Sequence, residues 1–239
     1  MNRRLLFPLI LVALLLSSCG VSGGSGHVIT ESREVSNFDQ VSLSSVGELV
    51  ITQGDEESLE IEAEDNVVPK IETEVRHGTL YIGMKRPFPE AVIPTKPIRF
   101  HLTMKEIRGV FFSGAGSIRA SSIETDRLEV GISGAGAVNV SSLTAEELEV
   151  TLSGMGGLHV AGEVPEQEVN LSGSGAYDAR GLESEVATVT ISGAGSATLW
   201  VKDSLDVSIS GLGSVRYYGD PAVTKNITGA GGVSSLGNP

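Results

Sequence analysis

Apolar and polar residues alternate along most of this chain, and the alternating stretches recur at a fixed interval. Leu128, Val130 and Ile132 are followed twenty residues on by Leu148, Val150 and Leu152. Val169 and Leu171, then Ala187, Val189 and Ile191, then Leu205, Val207 and Ile209 continue the series. Period-two alternation of this kind predicts strands with one buried and one wetted face. Each set runs into a Ser-Gly-x-Gly motif, at residues 113–116, 133–136, 153–156, 172–175, 192–195 and 210–213, with an altered copy from Thr228 to Gly231. Successive copies lie 20, 20, 19, 20, 18 and 18 residues apart. Alternation then resumes: Ile118 and Ala120, Val138 and Val140, Leu158 and Val160, Tyr177 and Ala179, Ala197 and Leu199, Val215 and Tyr217. Ile123, Leu143, Val164, Leu182 and Val201 add one further apolar residue to each return segment.

The repeat therefore reads as strand, bend, strand, return. Glycines at the bend suit a sharp turn and a close approach of backbone to the next coil. One coil cannot bury its own inner face, whereas coils stacked about 4.8 Å apart bury a continuous core and pair every strand. The expectation is an all-β fold, a right-handed parallel β-helix or β-solenoid of 18–20-residue coils over 111–239. The competing arrangement is an antiparallel sandwich with the motif as hairpin turns. Hairpins favour Asn-Gly or Asp-Gly and do not call for near-identical repeats. Residues 28–110 belong to the same domain but are less regular, and they are assigned to irregular coils and a cap over the open edge. Within them Ser44 to Gly47 looks like a worn copy of the motif, and Arg86 to Pro97, with four prolines, reads as an excursion from the stack.

The first residues follow a different pattern. Asn2-Arg3-Arg4 precedes an apolar run from Leu5 to Leu16, too short for a membrane-spanning helix, which needs about 20 residues. Leu16-Ser17-Ser18-Cys19 resembles a bacterial lipobox, and Cys19 is the single cysteine of the chain. The resemblance implies a signal peptide over 1–18, a diacylglycerol on Cys19 and a membrane partner through that lipid. It places the protein, exported, in the cell envelope, at the outer membrane or cell surface. Residues 19–27, rich in Gly and Ser, read as a flexible tether. The net charge of −13 becomes −15 without Arg3 and Arg4, which argues against nucleic acid as a partner.

The repeated Ile-Ser-Gly-Ala-Gly, the stretch from Phe38 to Gly54, the stretch from Ile71 to Ile82 and the ending from Val215 to Gly231 together resemble one family. This is the auto-transporter adhesin head domain, or head GIN domain, and the likeness covers roughly residues 37–236. It implies a β-helical fold, a surface location and no catalytic residues.

Candidate chemistry is sparse. Glu129, Glu149, Glu168 and Asp206 fall in one repeat column, interrupted by Thr188. Such a column suits either a solvated acidic face or calcium, which takes several oxygen ligands. His159 stands beside Asp178 one coil on, a surface pair rather than a catalytic dyad. Trp200 ends a strand and is placed at a coil corner or as a partner anchor. No cysteine or histidine spacing suits a metal, and no cofactor motif is present. These six residues, Glu129, Glu149, Glu168, Asp206, His159 and Trp200, form the candidate binding surface. The reading is a non-catalytic binding or adhesion module for an extracellular polymer or an envelope protein. The alternatives are a polysaccharide-active β-helix enzyme and a purely structural envelope protein.

Overall fold

The computed structural model describes residues 21–85 and 91–239. The signal peptide expected over 1–18 and the lipidation expected at Cys19 fall outside the described residues. In chain order the strands are β1 Val21–Gly23, β2 Val28–Arg33, β3 Gln40–Leu43, β4 Val46–Gln53, β5 Ser58–Glu64, β6 Ile71–Arg76, β7 Thr79–Met84, β8 Ala91–Ile93 and β9 Arg99–Met104. The repeat region supplies β10 Gly109–Phe112, β11 Ala115–Ala120, β12 Ile123–Glu124, β13 Arg127–Ile132, β14 Ala137–Thr144, β15 Glu147–Leu152, β16 Gly157–Glu163 and β17 Glu166–Leu171. It continues as β18 Ala176–Ile191, β19 Ser196–Ile209, β20 Ser214–Tyr218, β21 Ala222–Ile227 and β22 Gly232–Ser235. The one helical piece among the described residues is a 3-10 turn at Val68–Lys70.

Parallel pairing settles the architecture as a β-solenoid. Strands before the bend stack into a first wall, β3–β10–β13–β15–β17, continued by the C-terminal halves of β18 and β19 and by β21. Strands after the bend stack into a second wall, β4–β11–β14–β16, continued by the N-terminal halves of β18 and β19, then β20 and β22. The register matches the sequence period, so Val41, Val110, Val130, Val150, Val169, Val189 and Val207 form one inward column. All seven are buried. Lys225 occupies the next place in that column, on the last coil.

The bend glycines act through close approach alone. None of the glycines from Gly114 to Gly231 within the repeated motif has a positive φ. A Cβ at Gly134 would instead lie 2.2 Å from the Gly114 carbonyl oxygen, and one at Gly154 would lie 2.2 Å from that of Gly134. The ladder runs on to Gly229, whose Cβ would meet the Gly211 oxygen at 2.0 Å. Each motif glycine thus makes room for the carbonyl of the coil on its N-terminal side. This explains the worn copy: Ser45 carries a Cβ because the coil beyond it, β7 and β9, has no such bend. Gly47 remains glycine because its φ is +130° and a Cβ would meet the Ile98 oxygen at 2.7 Å.

The coils do not stack in chain order. β7 and β9 pair with β3 and β4 on one side, while β10 and β11 pair with them on the other. The chain forms the β3/β4 coil, leaves it for β5 to β9, and then crosses back over its edge, where the Arg108 amide bonds to the Asp39 carbonyl at 2.7 Å. Antiparallel strands lie beyond β7 and β9: β6 on β7, β5 on β9 and β2 on β5. The β6–β7 turn is His77-Gly78, both at positive φ (51° and 80°), as a tight hairpin requires.

Residues 21–27, within the stretch read as a tether, make specific contacts. β1 pairs in parallel with β8, and the backbone that follows is held by a cluster forty residues on. Ser25 donates its amide to Asn66 Oδ1 at 3.0 Å and its hydroxyl to Asp65 at 2.5 Å, and the Gly26 amide donates to Glu64 Oε1 at 2.7 Å. Glycine composition here serves tight packing: a Cβ at Gly24 would lie 2.0 Å from Glu64 Oε2.

Candidate functional site

Register places Glu129, Glu149 and Glu168 on adjacent strands of the first wall, then Thr188 and Asp206. The acidic column is therefore real, but its carboxylates do not converge. Arg127 bridges Glu147 at 2.5 Å and Glu149 at 2.6 Å, and the Asn170 amide donates to Glu168 at 3.1 Å. The hydrogen bond to Glu149 and the charge of Glu147 hold the Arg127 guanidinium above its ordinary pKa. Among the described residues, no three His, Cys, Asp or Glu side chains are grouped to hold a metal ion.

His159 lies on the second wall, with Nδ1 3.6 Å from Asp178. Asp178 makes its shorter contact to Arg180, at 2.8 Å. Burial pushes the Asp178 carboxyl up, but the Arg180 hydrogen bonds and charge, with His159 adding, bring it below the usual range. Trp200 is half-buried at the return corner within β19. It pairs with Glu183 on one side, next to a register shift, and with Tyr218 on the other. The six candidate residues thus sit in three places: four on the first wall, one on the second and one at the return corner. A hollow of about 700 Å³ lies at the return segments of earlier coils, lined by Gln53, Glu124, Asp126, Thr144 and Glu146.

Two polar features lie outside the candidate set. In the core, Tyr177 Oη donates to Gln167 Oε1 at 2.9 Å, Gln167 Nε2 to Ser184 Oγ at 2.6 Å, and Ser184 Oγ to the Trp200 carbonyl at 2.9 Å. The signal was present in the sequence: Gln167 stands in the column of Leu128 and Leu148. At the N-terminal end Glu64 is buried. It accepts the Thr95 hydroxyl at 2.5 Å and the amides of Thr95, Gly26 and Lys96. The Thr95 hydroxyl, with those amides, outweighs burial and lowers its pKa to about 2. No local pattern marks Glu64, because its partners are more than thirty residues away in sequence.

Comparison with known proteins agrees with this geometry. The family model described as "Putative auto-transporter adhesin, head GIN domain" matches residues 37–221, which ends before the last coil. A putative adhesin from Bacteroides fragilis is 26% identical, with 90% of this chain and 99% of that one covered and a TM-score of 0.85. A putative adhesin from Parabacteroides merdae is 24% identical, covering 90% and 98%, with a TM-score of 0.72. A putative lipid binding protein from Parabacteroides distasonis is 24% identical, covering 91% and 100%, with a TM-score of 0.76. Among curated proteins none matches the chain.

Proposed function

The chain belongs to the head GIN domain family of auto-transporter adhesins, and on that premise we propose that it is a lipid-anchored, non-catalytic binding module of the cell envelope. One observation carries this reading. The solenoid offers long outer faces on which Glu149 and Glu168 are engaged by Arg127 and Asn170 rather than opposed across a cleft. Glycoside hydrolysis needs two carboxyl groups facing one scissile bond, so the faces favour contact with an extended partner over turnover.

A diacylglycerol on Cys19 supplies two acyl chains, the condition for stable anchoring. Cys19 precedes β1 by two residues, so a lipid on it would hold the head close to the bilayer. Among the described residues no helix is long and apolar enough to cross a membrane.

The test is a deletion strain complemented with the wild-type chain, scored for attachment to glycan, matrix and envelope preparations. Loss of attachment on deletion, restored by the chain, is the expected result. Attachment unchanged in the deletion strain would refute the binding role. Release of reducing ends or unsaturated products from polysaccharides by the purified chain, abolished by Glu149→Gln or Glu168→Gln, would refute the non-catalytic one.

A further inference from the structure

We propose that the outer face of the first wall binds an extended, uncharged glycan lying along the stack axis over Tyr81, Ser42 and Phe111. This rests on the reading of the chain as a binding module and names the class of its ligand. The register forms one outward lane of Tyr81, Ser42, Phe111, Gly131, Thr151 and Asn170, continued by Thr190, Ser208 and Asn226. Not one of these side chains carries charge, on a chain of net charge −13.

Two aromatic rings mark one end of the lane. Tyr81 is 45% exposed. Phe111 is half-exposed, while its neighbour Phe112 takes the inward, buried place. The Phe111 ring lies over two glycine backbones: a Cβ at Gly109 or at Gly131 would come within 2.8 Å of it. Other coils put Glu129 and Glu149, or Thr151, at these outward places. The two glycines therefore make a floor on which the ring rests outside the core. A shallow hollow of about 290 Å³ opens beside Phe111, and another of about 440 Å³ beside Tyr81, whose far side carries Glu72 and the Glu74–Arg76 ion pair of β6.

The dimensions and chemistry fit a sugar ribbon. Tyr81 and Phe111 are two rungs apart, about 10 Å. A flat β-linked glycan advances by about one strand spacing per sugar, so the two rings meet alternate sugars, which present the same face. Aromatic rings supply apolar area for those faces. On one side of the lane the exposed hydroxyls of Ser113, Ser133, Ser153 and Ser172 form a row suited to sugar hydroxyls. On the other side, beside the two rings, stand the uncharged Thr79, Gln40 and Gly109. Further along the lane, beside Gly131, Thr151 and Asn170, the row of Glu129, Glu149 and Glu168 disfavours an anionic polymer that continues along the stack.

The experiment is affinity electrophoresis or biolayer interferometry with the purified full chain against cellohexaose, maltohexaose and polygalacturonate. Cellohexaose is expected to bind, with Tyr81→Ala and Phe111→Ala each weakening it about three- to tenfold. Phe111→Trp keeps a platform and is expected to keep binding, which guards against a folding defect in Phe111→Ala. Matching far-UV melts are the check for Tyr81→Ala. Absence of cellohexaose binding, full binding by the double alanine variant, or preference for polygalacturonate would each overturn the inference. Equal binding of the coiled maltohexaose would overturn the ribbon match. Attachment to envelope preparations that survives in the double variant would overturn this lane and leave the binding-module reading standing; loss of binding to every preparation by the wild type would remove both.

Discussion

Gly134→Ala isolates the close-approach role of the glycine ladder. The added Cβ would stand 2.2 Å from the Gly114 oxygen, 2.7 Å from the Ser113 carbonyl carbon and 2.9 Å from the Ser113 oxygen. All three are backbone atoms, so no side chain can swing aside. Relief requires the two bends to separate by about 1 Å, against a strand spacing of about 4.8 Å. That movement disrupts the rungs on both sides, from the Ala135 amide to Gly114 (3.1 Å) and from the Met155 amide to Gly134 (3.2 Å). Two hydrogen bonds at about 1 kcal/mol each, with overpacking strain of about 1–3 kcal/mol, give a loss of about 3–5 kcal/mol. At about 2–4 °C per kcal/mol for a chain of this size, Tm should fall by roughly 6–20 °C. The measurement is thermal and urea unfolding followed by far-UV circular dichroism. Gly157→Ala, whose nearest contact would be an ordinary 3.4 Å, and Gly232→Ala, which meets nothing within 4 Å, are the internal controls. Gly134→Ala as stable as these two would refute the argument.

Three further outcomes are expected. Tyr177→Phe leaves buried Gln167 Oε1 without its donor and should cost about 1–3 kcal/mol, while the double variant with Gln167→Leu should cost less than the two single variants added together in denaturant titrations. Glu64 has a pKa lowered from 4.5 to about 2, so its contribution is complete above about pH 4.5 and is lost as pH falls towards 2. Protection factors for amide hydrogen exchange at Gly26 and Thr95, taken against the intrinsic rate at each pH, should therefore fall across that window in the wild type and stay level in Glu64→Gln. Cys19→Ala should move the protein from the membrane to the soluble fraction or block its processing, read by fractionation and intact mass.

The repeat walls were legible because period two and a constant coil length map directly onto strand faces and register. Glu129, Glu149 and Glu168 fall side by side for that reason alone. The bend glycines were legible as a bend, but their cause is the carbonyl of the neighbouring coil and not their own torsions. Residues 28–110 resisted because order in the stack is not order in the chain, and nothing local announces that β7 sits beside β3. The lane of Tyr81, Ser42 and Phe111 becomes visible only once that pairing is known. In residues 21–27 the Gly and Ser composition carried no sign of one packing role: Gly24 is small so that Glu64 can approach it. Trp200 was read as the end of a strand, but β19 runs on through it, which the sequence pattern does not mark.

The displaced order of the first coils gives the molecule a direction of growth. Residues 40–104 close on themselves, with β3/β4 and β7/β9 paired and the antiparallel strands laid over one side. The free edge of β3/β4 is then a template complete before the repeats follow. Each later coil docks on the one before it, with contacts only about twenty residues apart and a correspondingly low loop-closure cost. A chain threaded through a membrane from its N-terminus can thus fold as it emerges, one rung at a time, without waiting for its far end. The inward column changes character on β21: Lys225, standing where seven coils place valine, sets a charge on that edge and discourages a second stack from docking on it.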